Sequence, residues 1–336
     1  LALLLQNPPD LNEPLPLANH ASTAMGVAIP LHVLAWVAVL LRLYTRFRVL
    51  KKPWWDDYTI TAAILFDLIF TVTYIGSMHH GGFGQHVLSL TVDIITSSYK
   101  WQYVNQWTYA TTMILTKISL LLQYLRLFRS GLMRYICMGL LVAVCCWGSV
   151  LCFISIFPCF PVEAYWTNQQ DATYYGFGYK DYESVRMTVI STAALDILFS
   201  VLVYFLPLSL YVRSDLAARQ IMALLGLFAS GSMVIITSSL RLWILASHTD
   251  TELRSADVTW WHPVVMLVSS LELNLALITA SIPVFHVYLA KYLAQIFVTK
   301  EIIVQRHERM SDQGADYEMD RPGSWKSNTS EERLTR

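Results

Sequence analysis

The sequence predicts an all-α membrane protein, a seven-transmembrane helix bundle with its N-terminus outside and its C-terminus in the cytosol. Hydrophobic residues make up 55% of the 336 residues and charged residues only 14%, whereas charged residues make up about 25% of a typical soluble domain. Hydrophobic segments recur to about residue 290 without a polar linker long enough to separate domains. The loops between these segments differ in their content of basic residues, which indicates an orientation.

Seven windows are long enough to cross the bilayer, because a helical span needs about 20 apolar residues. They cover residues 22–43, 57–78, 101–124, 134–157, 186–211, 220–246 and 261–289. An odd number of spans places the two termini on opposite sides of the membrane.

Basic residues are concentrated in the loops on one face. Ten lie between the first and second, third and fourth, and fifth and sixth windows or at the facing ends of these windows: Arg42, Arg46, Arg48, Lys51, Lys52, Arg126, Arg129, Arg134, Arg213 and Arg219. The loops of the other face hold four: Lys100, Lys180, Arg186 and Arg254. Cytosolic loops of membrane proteins carry the excess of Lys and Arg. The face with ten basic residues is therefore expected in the cytosol, and the N-terminus outside.

The chain divides into four segments by composition. Residues 1–21 are expected to be an extracellular N-terminal segment, and residues 22–290 the membrane domain. Apolar and basic residues recur near a helical period over 291–310, which predicts an amphipathic helix on the cytosolic leaflet. Residues 311–336 are polar and are predicted to form a disordered cytosolic tail.

Five ionisable residues lie inside predicted spans, where each costs about 2.5–3.5 kcal/mol at the centre of a helix. They are Asp67, Lys117, Asp196, Arg241 and Glu272. At a rise of about 1.5 Å per residue, Asp67 and Lys117 both stand about 14–15 Å above the cytosolic boundary. Their equal depth and opposite charge predict a structural ion pair.

The other three ionisable residues are expected in the outer half of the membrane. The same count of residues places Asp196 about 25 Å, Glu272 about 28 Å and Arg241 about 33 Å above the cytosolic boundary. Together with Asn274 they are candidates for an outward-facing ligand pocket. The alternative is a structural ion network that fixes the helix register and binds no ligand.

The glycine-rich turn HHGGFGQH follows the second window and contains His79, His80 and His86. Three imidazoles are suitable metal ligands, which makes these residues weak candidates for a metal site. No carboxylate-containing helix motif such as H-E-x-x-H accompanies them in the sequence. We therefore favour a solvated turn, and we predict neither a metal nor any other cofactor.

Three functions are disfavoured by the sequence. Nucleic-acid binding is disfavoured because Lys+Arg and Asp+Glu are 24 each. Retinal binding is disfavoured because the seventh window holds no lysine before Lys291 to form a Schiff base. The third and seventh windows carry QYLR and IPVF in place of the D-R-Y and N-P-x-x-Y motifs of common G-protein-coupled receptors, so coupling to a G protein is not indicated.

The order and spacing of several short motifs resemble those of the fungal rhodopsin-domain integral membrane proteins, over about residues 22–290. The motifs are Arg42-Leu43-Tyr44-Thr45-Arg46, Trp55-Asp56-Asp57-Tyr58, Gly82-Phe83-Gly84-Gln85-His86, Thr116-Lys117-Ile118-Ser119 with Tyr124-Leu125-Arg126, Cys159-Phe160-Pro161-Val162 with Trp166, Asp196 before Pro207, Gly231 before Arg241, and Glu272 before Pro283. That group includes proteins proposed as receptors in plant-pathogenic fungi and membrane proteins encoded in mycotoxin gene clusters.

The resemblance implies a seven-helix fungal membrane protein and supplies no set of catalytic residues. It also implies a loop disulfide at Cys159, but the second cysteine that often accompanies this residue is absent between Trp166 and Arg186. The disulfide is therefore not expected in this chain.

Two functional hypotheses of different class remain. The first is a receptor-like or sensor protein of the plasma membrane or an endomembrane, with an outer pocket for a small hydrophobic or acidic ligand, the lipid bilayer around it and a cytosolic signalling partner. The second is a membrane-embedded enzyme of cyclase or isomerase type in a fungal secondary-metabolite pathway, with Asp196 or Glu272 as an acid. A transporter ranks third, because no inverted repeat is detectable.

Overall fold

The computed structural model describes residues 2–297 except 7, 11–12, 129, 168, 170, 208–217, 250 and 252–255. The side chains of residues 2–3, 218–225 and 285–297 are also outside the description. The described residues up to 295 belong to one compact unit. The predicted disordered tail, 311–336, and most of the predicted amphipathic helix, 291–310, therefore lie outside the described residues.

The described part of the chain is mostly helical. Its α-helices are α1 Ala2–Gln6, α2 Ala21–Tyr44, α3 Trp55–His80, α4 Val92–Leu127, α5 Leu132–Ile156, α6 Ala164–Thr167, α7 Tyr182–Phe205, α8 Ala218–His248 and α9 Val258–Phe297. Between α5 and α7, β1 Cys159–Phe160 pairs antiparallel with β2 Thr173–Tyr174, with Cys159 opposite Tyr174.

Six described helices are long and apolar enough to cross a membrane. They comprise Ala21–Val49, which is α2 with a π-helical turn added, then α3, α5, α7, Gly226–His248 of α8, and Val258–Val284 of α9. The most apolar window of α9 is 72% buried inside the protein, whereas that of α5 is only 22% buried. The α9 helix therefore lies inside the bundle, and α5 presents most of its apolar surface outward.

The helix α4 is as long as a span but does not belong to these six. It has 36 residues and contains the predicted window 101–124. Its inward surface is polar, which lowers its hydropathy; the buried polar residues are Ser98, Asn105, Thr108, Thr112, Thr116, Lys117, Ser119 and Gln123. The six other predicted windows coincide with the six apolar helices, except that residues 208–211 of the fifth lie outside the described residues.

The helices α4 and α5 pack closely at one glycine. A Cβ atom added to Gly148 would lie 2.6 Å from Cγ2 of Ile114. Real Cβ atoms do not approach other heavy atoms so closely, so any larger residue at position 148 requires the Ile114 side chain or the two helices to shift.

A buried guanidinium joins several helices at one end of the bundle. Arg42 of α2 is fully buried and donates hydrogen bonds to Asp56 Oδ2 at 2.7 Å and to the carbonyl of Ala280 at 2.6 Å. Its Nε lies 3.3 Å from Asp57 Oδ1. Ala280 is three residues before Pro283, which lies inside α9. Arg42 thus ties α2 and α3 to the proline-containing part of α9.

Candidate functional site

Four charged side chains from α4, α7, α8 and α9 form one buried network. The ammonium of Lys117 contacts the carboxylate of Asp196 directly. Arg241 Nε donates to Glu272 Oε2 at 2.9 Å, and Arg241 Nη2 lies 3.9 Å from Asp196 Oδ2. All four residues are less than 9% exposed. The structure thus brings together Asp196, Arg241 and Glu272, and it adds Lys117 to them.

Tyr109 and Ser238 complete the surroundings of Glu272. Tyr109 donates its hydroxyl hydrogen to Glu272 Oε2 at 2.8 Å, and Ser238 donates to Glu272 Oε1. The guanidinium of Arg241 lies 4.8 Å from the centre of the Tyr109 ring, a cation–π contact. The sequence analysis missed Tyr109. Its position eight residues before Lys117 is a signal that was present, since residues about two turns apart share one helix face.

The prediction that Asp67 and Lys117 form a structural ion pair is wrong. Asp67 of α3 lies 2.6 Å from His32 Nδ1 of α2, whereas Lys117 of α4 contacts Asp196 of α7. Counting residues from the membrane boundary gives the depth of a residue but not the side of the helix on which it lies. Asp67 lies on the side of α3 facing α2, so its equal depth does not bring it to Lys117.

The histidines of the turn HHGGFGQH have separate surroundings. His86 lies 2.6 Å from Asp257 Oδ2, and its ring stacks on Trp260 at 3.9 Å. His79 and His80 are exposed at the end of α3. The expectation of a solvated turn is wrong for His86, which is buried. Over the described residues, no group of three or more His, Cys, Asp or Glu side chains is placed to hold a metal.

Hydrogen bonds connect this turn to the start of α9. Asp257 accepts a second hydrogen bond from the backbone N–H of Val87 at 2.8 Å, and the N–H of Gly84 donates to the carbonyl of Thr259 at 2.8 Å. Gly84 has φ +93°, a conformation that favours glycine. These contacts position Trp261 and His262, which follow immediately in α9.

A cavity of about 160 Å³ lies beside the charged network. It is lined mainly by residues of α4, α7, α8 and α9, together with Phe70 of α3, Leu151 of α5, Tyr165 of α6 and Phe177 of the segment after β2. Asp196 and Arg241 are the charged residues of its wall. Burial raises the pKa of the Tyr165 phenol, so this lining residue of α6 remains uncharged near neutral pH.

Four buried polar atoms of the cavity wall have no hydrogen-bond partner among the described residues. They are Asn105 Nδ2, Asp196 Oδ2, Trp261 Nε1 and His262 Nδ1. A buried polar group without a partner costs about 1–3 kcal/mol. All four of these atoms belong to residues that line the one cavity.

Asn274 is not part of the cavity wall. It is fully buried in α9, and its Nδ2 donates to the carbonyl of Ser270 at 2.8 Å. Asn274 follows Glu272 by two residues, and positions two apart on a helix face different directions. The helical period thus explains why only one of these neighbouring candidates joins the network.

The family model of the fungal rhodopsin domain matches residues 41–291, about three-quarters of the 336-residue chain. The chain belongs to the fungal rhodopsin domain family. A relative, described as a SAT4 family membrane protein of Emericella nidulans, is 24% identical over 211 residues. The alignment covers 61% of this chain and 49% of the relative, so it spans about half the length of that curated protein. No solved structure matches the chain.

The matched fungal rhodopsin domain contains the whole charged network and the cavity wall, from Phe70 to Glu272. Its cysteines Cys137, Cys145, Cys146, Cys152 and Cys159 are all free. Cys159 is buried in the β1–β2 hairpin, where its thiol lies 3.3 Å from the carbonyl of Pro161, and burial raises its pKa. In this fungal rhodopsin-domain protein the hairpin is therefore held by backbone pairing and packing.

Proposed function

We propose that this fungal rhodopsin-domain protein is a receptor-like sensor with seven transmembrane helices, an outside N-terminus and an outward-facing cavity for a small molecule. Its proposed location is the plasma membrane or an endomembrane. A cytosolic signalling partner would bind at the opposite end of the bundle, where the sequence concentrates its basic loop residues.

The proposed seventh span is α4. Its 36 residues rise about 54 Å as a helix, well beyond the roughly 30 Å hydrocarbon layer. The polar side chains that lower its hydropathy are buried against neighbouring helices and need not face lipid. This packing supports a span that hydropathy alone does not recognise.

The positions of the helix ends support an outward-facing cavity. The wall residues lie near the beginnings of α4, α7 and α9 and near the ends of α5 and α8. In the orientation derived from the basic residues, all five of these ends are on the outer side. A ligand would thus enter from outside the cell or from the lumen of an organelle.

The observation that carries the proposal is the set of four buried polar atoms in the cavity wall that have no hydrogen-bond partner among the described residues. A ligand that donates to Asp196 Oδ2 would act on the residue that joins α7 to Lys117 of α4. Ligand binding would therefore strengthen or weaken the contact between α4 and α7. This is the physical requirement for passing a signal across the membrane.

The contacts of Glu272 favour binding over acid catalysis at this residue. Both of its carboxylate oxygens already accept hydrogen bonds, from Ser238, Tyr109 and Arg241. A general acid needs a carboxyl hydrogen directed at the substrate, whereas both oxygens of Glu272 are occupied as acceptors within the protein. The enzyme hypothesis is therefore restricted to Asp196, and the following experiment includes it as an outcome.

The test fills the cavity without changing the charged network. Thr192→Phe places an aromatic ring at the wall, where the native hydroxyl bonds only to the backbone of its own helix. Thr237→Phe is the matched control, because its hydroxyl is used in the same way and it lies outside the wall. Each variant replaces the native gene, and membrane abundance, the transcriptome and the metabolite profile are measured beside a deletion strain.

We expect both variants to reach the membrane, and only Thr192→Phe to reproduce the transcriptome of the deletion strain. A Thr192→Phe strain that is indistinguishable from the parent would overturn the proposed role of the cavity. Loss of one metabolite with accumulation of its precursor would replace the sensor proposal with the enzyme hypothesis.

A further inference from the structure

We infer that the cavity selects a small, planar molecule without net charge that carries both a hydrogen-bond donor and an acceptor, as an aromatic carboxamide does. The inference rests on the proposed function of the cavity as a ligand site and specifies the chemistry of its ligand. Three properties of the site lead to it: the charge of the network, the polar atoms without a hydrogen-bond partner, and the volume of the cavity.

The charge of the network argues for a neutral ligand. Two cations, Lys117 and Arg241, face two anions, Asp196 and Glu272, so the network is balanced internally. A ligand with a net charge would have to draw one of these groups from its partner, and an uncompensated buried charge is strongly unfavourable. A neutral ligand leaves both ion pairs intact.

The free polar atoms argue for a ligand with a donor and an acceptor. The Trp261 indole N–H can only donate, and the ion-paired Asp196 Oδ2 can only accept. Asn105 directs its Oδ1 to Thr73 Oγ1 at 2.7 Å, which leaves its Nδ2 donor without a partner. A carboxamide complements this arrangement, because its carbonyl accepts from the donors and its NH₂ group donates to the carboxylate.

The volume of the cavity argues for a single ring. Its volume of about 160 Å³ is close to that of an apolar cavity of roughly 150 Å³ known to hold one benzene molecule. Apolar and aromatic side chains make up much of the wall, including Phe70, Met113, Leu151, Phe177 and Val265. A planar ring with one polar substituent therefore matches the volume of the cavity and its mixture of apolar and polar lining residues.

The test uses three probes of nearly equal shape and different charge: neutral benzamide, anionic benzoate and cationic benzamidine. Each is titrated into the full-length protein in lipid nanodiscs, and binding is followed by saturation-transfer NMR. Trp261→Phe removes one donor and keeps an aromatic ring against His248. Trp147→Phe is the matched control, since its indole nitrogen is also buried and unpartnered but lies outside the wall.

We expect benzamide to bind with a Kd at least about tenfold lower than the Kd of either charged probe. Trp261→Phe should raise the benzamide Kd about threefold to tenfold, the effect of one lost hydrogen bond, whereas Trp147→Phe should leave it unchanged. Equal or tighter binding of benzoate or benzamidine, or saturable binding of none of the probes, would overturn the inferred ligand class.

The two proposals fail in distinguishable ways. A benzamide Kd that is insensitive to both Trp261→Phe and Thr192→Phe would overturn the location of the inferred site. The sensor proposal is decided separately, by the phenotype of the Thr192→Phe strain. Preference for a charged probe that Thr192→Phe abolishes would overturn the ligand class and leave the cavity as a binding site.

Discussion

Trp36 donates its indole N–H to Nε2 of His32 at 2.8 Å, and His32 Nδ1 lies 2.6 Å from Asp67 Oδ2. Because an indole nitrogen can only donate, Nε2 carries no proton, and the ring proton resides on Nδ1. His32 therefore donates to Asp67 as a neutral ring. This chain of hydrogen bonds joins α2 to α3 and leaves Lys117 to pair with Asp196.

Replacing Trp36 by Phe should weaken the α2–α3 contact. The variant keeps an aromatic ring but removes the donor to His32, and we expect the free energy of unfolding to fall by about 0.5–1.5 kcal/mol. The measurement is denaturant titration in mixed micelles. Trp243→Phe is the control, because Trp243 is 68% exposed on the outside of the bundle; an equal loss in both variants would contradict the hydrogen-bond chain.

A double-mutant cycle should identify the partner of Lys117. Lys117→Met alone and Asp196→Leu alone each leave a buried charge without its partner and should cost about 3–5 kcal/mol of unfolding free energy. The double variant should be less destabilised than the sum of the two, with a coupling of about 1–3 kcal/mol. The same cycle between Lys117 and Asp67 should be additive within about 0.5 kcal/mol. Coupling to Asp67 alone would restore the pairing predicted from depth.

Replacing Arg42 should destabilise the bundle far more than replacing its exposed neighbour. Arg42→Ala leaves Asp56, Asp57 and the carbonyl of Ala280 without their shared donor, and we expect a loss of about 3–5 kcal/mol in unfolding free energy. Arg48→Ala should change it by less than about 0.5 kcal/mol, because Arg48 is exposed. The two variants carry the same change of net charge, so similar losses would show that charge alone matters.

Two glycines of α5 should respond in opposite ways to alanine. Gly148→Ala meets Ile114 and should lower the unfolding free energy by about 1–3 kcal/mol. An added Cβ at Gly139 meets nothing within 4 Å, so Gly139→Ala should leave stability unchanged or raise it by up to about 1 kcal/mol through helix propensity. Thermal unfolding of the two purified variants measures the difference. A stable Gly148→Ala protein would contradict the close α4–α5 contact.

Reporter fusions should reveal opposite locations for two segments. A reporter after Arg309 is expected in the cytosol, because ten of fourteen loop basic residues lie on that face of the proposed topology. A glycosylation acceptor inserted within residues 169–180 should be modified, because this loop is expected on the outer side. The reverse pattern would overturn the proposed orientation and place the cavity on the cytosolic side.

Helix positions followed from the sequence more readily than helix contacts did. Six windows were recognised because an apolar helix is expected where about 20 apolar residues are continuous. The sequence also yields an expected depth for Asp196, Arg241 and Glu272, since depth depends only on the rise per residue. Each of these properties depends on a single segment of the chain, so it can be predicted directly from the sequence.

The partners of the charged residues did not follow from the sequence in the same way. The choice of His32 for Asp67, and of Asp196 for Lys117, depends on which faces of the helices meet. That arrangement is set by packing of the whole bundle, including the close approach at Gly148. The roles of Tyr109 and Trp261 likewise depend on an inter-helix cavity, which has no signature within any one segment.

The polar inner face of α4 has a consequence for how the protein enters a membrane in the proposed topology. The insertion machinery reads hydrophobicity largely one segment at a time, and hydroxyl, amide and ammonium groups make a segment a poor substrate on its own. The preceding helix α3 offers Thr73 as a hydrogen-bond partner for Asn105. Biogenesis of α4 would then be cooperative: the helix is retained in the bilayer by a neighbour that has already been synthesised and inserted.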